Sequence, residues 1–576
     1  MNSTIREHRW TFAAPPDAAV VAHLSNELNV PEAIARILIL RGIDDYDKAK
    51  AYFRPSLDLL HDPMLMDGMD RAVDRVVLGH KRNEKVLVFG DYDVDGTNGA
   101  AMLYLLFQGI GMDVEYYIPD RVKEGYGISR KGIDKAHAAG VNLFVAVDCG
   151  ITAIDQIEYA GSLGMDVIIC DHHETGASLP PALAVLDPIK PGDPYPFKHL
   201  SGCGVGFKFV QGVARRFQRE DLAATFLDFV TLASTADIVP LTGENRVLCK
   251  LGLQQINTDP RPGIKALIES SGLTPGSITT GQIVFVLAPR INAVGRLGDA
   301  TRAVRLLTCN DPAEAVNLAR VLEEENRNRR KIDEDTFANA REIFETLFNI
   351  EADPAIVLHQ EHWHPGVVGI VASRMVERYY KPAIMMATVD GVAKGSARSV
   401  SGFDIYEALR RCESKVIQFG GHKYAAGLTV EISRLDEFRK AFNDAVRGLM
   451  TDDLKTPEIR IDTEISLSDI TPRFFRILKE FAPFGPQNMR PVFYSKGLDV
   501  AGSPRVVGKN HLRLKLRQNG AIFDTIGFGL GHLLPRVSGA RREIECVYTI
   551  EENDWGPAGT QRTGNGVTQL KLKDLR

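Results

Sequence analysis

Two α/β units bridged by one long helix, followed by a small β-barrel, make up the fold class that the sequence predicts, and three patterns predict it. Short apolar runs alternate with helical segments between residues 85 and 170, which indicates a parallel sheet covered on both faces. The stretch 311–347 contains no glycine, and its one proline, Pro312, sits where a helix start tolerates it. After residue 450, segments such as 457–467, 511–516 and 543–550 alternate apolar and polar residues as half-buried strands do.

Taken in order, residues 1–75 mix short helical patterns with proline breaks at 13–18 and 53–56 and predict a small helical N-terminal region. The first α/β domain spans 76–310. Within it, 85–89, 113–118, 142–147 and 165–170 read as strands, and 97–111, 129–140 and 152–164 as helices. Helical patterns then continue from about 200 onward. The connecting helix takes 311–350 and, at ~1.5 Å per residue, its uninterrupted part reaches roughly 50 Å. A second α/β domain follows at 351–450, and the barrel at 456–576.

Composition sets outer bounds. The chain has 576 residues, 44% hydrophobic and 25% charged, as expected of a globular protein of several domains. No apolar run approaches the ~20 residues that cross a bilayer, and the N-terminus has no apolar core of signal-peptide length. The seven cysteines form no CxxC pair, which argues against a disulfide framework or a structural zinc site. These features predict a cytoplasmic protein with no membrane contact. The net charge of −5 leaves a nucleic-acid partner open, because a net-acidic chain can still line one groove with arginine.

The position of the acids is the informative feature. Ligands of a parallel sheet bind beyond the carboxyl ends of its strands. The first strand runs straight into Asp91, Asp93 and Asp95, the 142–147 strand into Asp148, and the 165–170 strand into Asp171, His172, His173 and Glu174. Asp237, in STADIVP, is a further acid among apolar neighbours. One aspartate after a strand commonly caps a helix. Three strand ends carrying them together would repel one another unless a cation held them. Carboxylates with one or two imidazoles and no thiolate favour Mn²⁺ or Mg²⁺ over structural zinc. Five or more such groups exceed the demand of one ion and suit a pair about 3.5–4 Å apart, the arrangement that hydrolyses phosphoesters. No P-loop and no GxGxxG follows a strand, so nucleotide-driven and hydride chemistry are not indicated.

These residues resemble the DHH phosphoesterase superfamily, named for the Asp-His-His at 171–173. DYDVDG (91–96), PDR..EGYG (119–127), VDCG (147–150), DHHE (171–174), STADIVPL (234–241), PRINAVGR (289–296), GSARS (395–399), GGHKYAAG (420–427) and FAPFGPQN (481–488) recur in the order of its single-strand-specific exonucleases. The resemblance spans about 80 to the C-terminus. It implies a DHH domain joined by the long helix to a DHH-associated domain, with an OB-fold as the barrel. The implied activity is 5′→3′ hydrolysis of single-stranded DNA to mononucleotides, using two divalent ions, Mn²⁺ or Mg²⁺. It further implies a monomer acting in recombination and repair beside a single-strand-binding protein and a helicase. Shorter pyrophosphatases and dinucleotide phosphodiesterases of the superfamily, and relatives that have lost metal ligands and serve as scaffolds, are the alternatives.

Carried over motif by motif, Asp93, Asp95, Asp148, His172 and Asp237 would hold the metals, with Asp91 a ligand or an orienting group. His173 would meet the scissile phosphate or protons near it, and Asp171 would orient the histidines. Arg290 and Arg296 have the fork geometry that suits a phosphate. Arg121, Ser396 and Arg398 match positions that close on a 5′-terminal phosphate. His422 could touch phosphate or brace a glycine turn. Arg327, Arg329, Arg330 and Lys331 could track DNA, although Glu323, Glu324 and Glu325 one turn earlier favour salt bridges along a solvated face.

Overall fold

The computed structural model describes residues 7–121, 123–538, 543–553 and 567–576. The parts of the predicted N-terminal and barrel regions that fall on 1–6, 539–542 and 554–566 lie outside the described residues. The chain divides into two compact units. One is Ser56–Lys455, and the other combines Met1–Pro55 with Thr456–Arg576. Among the described residues no helix is long and apolar enough to cross a membrane.

The first unit begins with a five-stranded sheet. Its strands are β1 (Lys85–Gly90), β2 (Val114–Tyr117), β3 (Val141–Val147), β4 (Asp166–Cys170) and β5 (Ala184–Leu186). All pair in parallel, in the order β2-β1-β3-β4-β5. Helices α1 (Val94–Gly109), α2 (Arg130–Ala138) and α3 (Ile154–Ser162) make the crossovers. Successive residues of each strand feed opposite layers. Val86, Val88, Leu143, Val145 and Ile168 enter the core beneath α1, while Leu87, Phe89, Phe144, Val167 and Ile169 enter the core on the other face. Burial on both faces is why these strands read as continuous apolar runs. It also leaves the polar residues gathered at the strand ends.

Helices α4 (Gly202–Arg216), α5 (Leu227–Ala236), α6 (Gly243–Thr258) and α7 (Ala288–Leu297) extend this domain. The long helix α8 (Pro312–Leu347) has 36 residues, with Asp311 capping its first turn and Pro312 at the tolerated position. It leads to a second sheet of β6 (Ile356–Gln360), β7 (Ala383–Val389), β8 (Val392–Arg398), β9 (Gln418–His422) and β10 (Ala425–Glu431), flanked by α9 (Val368–Tyr379). The order is β9-β10-β8-β7-β6, antiparallel except for β6 with β7. Two glutamates of α8 reach beyond that helix. Glu323 pairs with Arg290 of α7 and Glu325 with Arg302, so the expected intrahelical bridges give way to cross-links between helices.

The other unit holds a closed barrel. Phe493–Val500 pairs both with Ile544–Asn553 and with His511–Gln518, and the ring is completed through Val567–Leu575 and Ala521–Gly527. The N-terminal helices Ala18–Leu28, Glu32–Ile39 and Tyr46–Phe53 put Leu24, Ile34, Ile37 and Leu38 into the same core as Phe493, Leu514 and Tyr548 of the barrel. Arg9–Phe12 pairs in parallel with Glu458–Ile461. The N-terminal region up to residue 55 thus completes its apolar face on strands more than 400 residues away in sequence, a partnership no local pattern reports. Among the barrel's aromatics, Phe493 and Tyr494 are core, while Phe528 stands out at 54% exposure.

A buried ion pair ties the first domain together. Lys208 Nζ donates to Glu244 Oε1 at 3.1 Å and to the His61 carbonyl at 2.8 Å, and Tyr195 donates to Glu244 Oε2 at 2.6 Å. Removing one partner leaves an uncompensated buried charge. Glu244→Ala is therefore expected to cost about 3–5 kcal/mol in denaturant unfolding, and Lys208→Met with Glu244→Gln together much less than that.

Candidate metal centre

The acids that follow β1 are shaped by the first turn of α1. Asp93 caps that helix, its Oδ1 accepting from the N–H groups of Asp95 at 2.9 Å and Gly96 at 3.1 Å. The loop folds back so tightly that a Cβ on Gly96 would lie 2.4 Å from the Asp91 nitrogen. Asp95 turns the other way and meets the start of α4, accepting from Gly202 N–H at 2.6 Å and Cys203 N–H at 2.9 Å. Asp148 follows β3 in the left-handed region, at φ 62°. It packs against α4 so closely that a Cβ on Gly202 would lie 2.6 Å from its Oδ1. Asp171 follows β4 and acts as a hub. Its Oδ2 accepts from Ile151 N–H at 2.9 Å, and its Oδ1 from His172 N–H at 2.8 Å and His173 Nδ1–H at 2.7 Å. Asp237 closes the end of α5.

The sheet edge brings the predicted ligands together. His172 Nε2 stands 3.3 Å from Asp148 Oδ1, 3.7 Å from Asp237 Oδ2 and 3.8 Å from Asp95 Oδ2. Two triads, Asp91–Asp93–Asp148 and Asp95–His172–Asp237, each gather ligand atoms within 4.8 Å of one another. Asp148 also groups with His172 and His173, which places it between the triads.

Electrostatics argue that these groups need a cation. Burial and the charge of Asp93 push Asp91 well above the usual carboxylate range. Burial and the surrounding aspartates do the same to Asp148 and Asp237. Asp95 is also raised, chiefly by burial, against the opposing pull of His172. His172 is held below the usual imidazole value by burial. Asp91 Oδ1 and His172 Nε2 are buried with no hydrogen-bond partner, a cost that bound metal removes. The thiols nearby, Cys149 and Cys203, are buried and pushed well up, chiefly by burial. The donor set is thus oxygen and imidazole nitrogen, which fits a pair of hard divalent ions. His173 differs from His172. Burial alone would lower it, but the hydrogen bond and charge of Asp171 raise it to about 9.

A cationic cluster lies beside the acids. Arg121 stacks its guanidinium 4.8 Å from the Tyr92 ring centroid. Arg296 Nη1 donates to the Gly366 carbonyl at 2.9 Å, and Arg398 Nη1 to Ser396 Oγ at 2.6 Å. A Cβ on Gly369, in the first turn of α9, would lie 3.0 Å from both Arg398 and Ser396. Burial and the charges of Arg121, Arg329 and Arg398 push Arg296 down to about 10, and burial with Arg121 lowers Arg398. Like charges gathered this way are relieved by an anion.

Other predicted residues land differently. Arg290 is buried at 4% exposure, with Nε on Glu323 Oε2 at 2.5 Å and Nη1 on the Val286 carbonyl at 2.6 Å. Its fork is spent on the protein, because α8 supplies a carboxylate that sequence spacing could not pair with it. His422 sits exposed at the end of β9. Arg329, expected to bridge to glutamates along a solvated face, instead donates to Asn326 Oδ1 at 2.8 Å, and its Nε is buried without a partner. Two residues went unnoticed in the sequence. Tyr126 places its hydroxyl 3.3 Å from His173 Nε2 and 3.4 Å from the Asp148 carbonyl; it lies in the EGYG motif, which carried no assigned role. Asp187 follows β5, next in parallel register to Asp171, fully buried and raised to about 7 by burial. It is a fourth strand end bearing an acid, and β5 is too short to register as a strand by periodicity.

Comparison with known proteins places this geometry. Residues 85–234 match the model for the DHH family, N-terminal domain, 352–448 that for the DHHA1 domain, and 461–565 that for the RecJ OB domain. The chain is 35% identical to the single-stranded-DNA-specific exonuclease RecJ of Bacillus subtilis over 575 residues, covering 99% of this chain and 72% of that protein. The structure resembles that of RecJ from Thermus thermophilus in complex with Mn²⁺, with TM-score 0.83 and 29% identity over 99% of this chain and 79% of the other. It also resembles the Mg²⁺ complex of that protein, with TM-score 0.77 and 28% identity over 99% and 78%.

The raised carboxyls set a pH dependence. A carboxyl whose folded pKa is raised binds its proton more tightly folded than unfolded. It therefore carries no penalty below its unfolded value of about 3.9 and destabilises as pH climbs through the raised one. Asp91, Asp95, Asp148 and Asp237 act in this direction, and His172, lowered, in the opposite one. The difference in Tm between Mn²⁺-loaded and EDTA-treated protein is expected to widen from about pH 5 to about pH 8, by differential scanning fluorimetry.

Proposed function

This chain belongs to the RecJ family of single-stranded-DNA-specific exonucleases, and we propose that Asp91, Asp93 and Asp148 hold one divalent ion while Asp95, His172 and Asp237, with Asp148 between, hold the other. The protein is a metal-dependent exonuclease on single-stranded DNA, with Mn²⁺ or Mg²⁺ as its cofactors. A pair of divalent ions held by these residues would supply activation of water and stabilisation of the charge on the scissile phosphate and its leaving oxygen. The observation that supports this most is the pair of ligand triads meeting at Asp148.

The chain's own groups do the rest. Asp171 fixes both histidines through one carboxylate and stays ionised, since His173 and the Ile151 N–H outweigh its burial. His173 gives Nδ1 to Asp171 and is protonated at neutral pH, so Nε2 carries a proton for an oxygen of the scissile phosphate. Arg121, Arg296, Ser396 and Arg398 take the 5′-terminal phosphate. Holding that phosphate at a fixed distance from the metals defines which bond is cut, gives the 5′→3′ direction and releases one nucleotide at a time. Arg290 braces α7 against α8 and so keeps Arg296 in place. His422 reaches the strand from the exposed end of β9. The domains are 76–310 for DHH chemistry, 311–350 for the connecting helix, 351–450 for the associated domain and 456–576 for the OB-fold, with 1–75 ahead of them. A single-strand-binding protein and a helicase are the partners that such an activity calls for, since one covers and the other opens the strands it degrades. The reading is completed by a monomer at work in cytoplasmic recombination and repair.

The decisive test uses single-stranded DNA labelled at either end, with Mn²⁺ or EDTA, beside a blunt duplex. Mononucleotide is expected at once from the 5′ label, from single strands only and with metal only. A protein that spares DNA and hydrolyses pyrophosphate or dinucleotides would keep the metal centre and lose the substrate. Asp93→Asn keeps an acceptor for the cap of α1 while removing the ligand's charge. It is expected to slow hydrolysis by more than about 100-fold, since even residues that only orient metal ligands cost about 10–100-fold. Arg398→Ala is expected to abolish the preference for 5′-phosphate over 5′-hydroxyl ends, with a loss of roughly 10–100-fold in kcat/KM on the phosphorylated strand alone.

A further inference from the structure

Two bulky apolar side chains stand in solvent, one next in the chain to Asp237 and one on a turn that packs against the helix ending there. Ile238, next in the chain to Asp237, is 64% exposed and has φ 63°. A β-branched residue in the left-handed region is a genuine outlier that persists only where its surroundings impose it, and such residues gather at ligand sites. Here the strained turn after α5 keeps Asp237 among the metal ligands while Ile238 faces water. Phe285 is 77% exposed and belongs to Ile283–Leu287, a single π-helical turn leading into α7. Such turns are rare and are frequent at functional sites. The neighbours Ile283 and Leu287 are fully buried, so the turn is anchored without Phe285. That turn lies against α5, the helix that ends at Asp237. The helix that follows is pinned to the acid loop, with Asn292 Oδ1 accepting from Val94 N–H at 3.1 Å. Phe285 therefore stands roughly 10 Å along the helix from Asn292, the residue that meets the acid loop, at ~1.5 Å per residue.

We propose that Ile238 and Phe285 form an apolar rim that packs against the faces of unpaired bases in the strand being degraded, so that the enzyme reads single-strandedness as well as the strand's end. The inference rests on the exonuclease reading. A strand anchored through its phosphates has only its base faces left to offer an apolar surface. A single strand can splay those faces onto side chains, whereas a duplex keeps them stacked and paired in its interior. Neither residue touches the metals or the reacting phosphate; both position the substrate.

The test crosses protein variants with substrates that lack bases. Ile238→Gly removes the side chain and suits the positive φ, and Phe285→Ala acts at a separate place. Single-turnover hydrolysis is measured on an ordinary 5′-phosphorylated oligonucleotide and on one whose 5′-terminal stretch is abasic, with Mn²⁺. On the ordinary strand, Phe285→Ala is expected to slow hydrolysis by about fivefold or more and Ile238→Gly by a smaller factor, in line with the magnitude of base stacking on protein side chains. On the abasic strand, native protein and both variants are expected to agree within about twofold. The Tm gain on adding Mn²⁺ is expected to be unchanged, which shows Asp237 still in place. Equal losses on both substrates, or no loss on the ordinary strand, overturn the proposal and leave the two side chains as a surface for a protein partner. Native protein that spares ordinary single strands overturns the exonuclease reading and this inference together.

Discussion

Repulsion among buried carboxylates is the constraint around which the first domain is built. Asp91, Asp95 and Asp148 are each at or below 3% exposure, and Asp93 and Asp237 stand close by. Two like charges 4 Å apart repel by about 4 kcal/mol at an effective dielectric of 20, and a whole domain is stable by only about 5–15 kcal/mol. Ionised without cations, the cluster would spend much of that margin. The scaffold answers in two ways. It gives some oxygens backbone donors, Gly202 and Cys203 for Asp95 and the first turn of α1 for Asp93. It leaves others, Asp91 Oδ1 above all, with no partner the chain supplies. The first group fixes geometry and the second sets the demand for metal.

The arginines repeat the logic with the opposite sign. Arg121, Arg296, Arg329 and Arg398 come from four separate segments, and burial together with their mutual repulsion lowers Arg296. The long helix decides which arginines remain available to an anion. Its Glu323 and Glu325 neutralise Arg290 and Arg302. Arg296 has a carbonyl oxygen, that of Gly366, as its hydrogen-bond partner. On the proposed reading, the acids would hold cations beside arginines that take phosphate, which is what a phosphodiesterase of a polymer end needs. The distance between the two clusters would then set the length of the fragment released.

Histidines 172 and 173 show how one motif supplies two unlike groups. They are neighbours in sequence and share Asp171 as an anchor. His172 is turned into the carboxylates, where burial keeps it neutral and its lone pair free for a cation. His173 takes the carboxylate of Asp171 on its own ring and keeps a proton. The difference comes from which ring meets Asp171: that of His173 does, whereas His172 reaches it through its backbone N–H, which is a matter of backbone geometry after β4 and not of residue type.

Periodicity and composition were enough to predict the fold class and to gather most of the candidate metal centre. Strands buried on both faces must be apolar throughout, so the acids at their ends stand out against the pattern, and Asp91, Asp93, Asp95, Asp148 and His172 could be read off three strand ends. The long helix was equally visible, because 36 residues without glycine or an internal proline leave the backbone no reason to stop. Tertiary structure alone decided the partnerships between distant segments. It placed residues up to 55 on a barrel more than 400 residues away, gave Arg290 to Glu323, brought Arg329 into the cationic cluster and set Asp187 beside Asp171. Local periodicity reports which face of an element is buried, since that depends on spacing within the element. It is silent on what that face meets, because a charge or an apolar stripe is satisfied by any complementary surface and only the packed chain selects one.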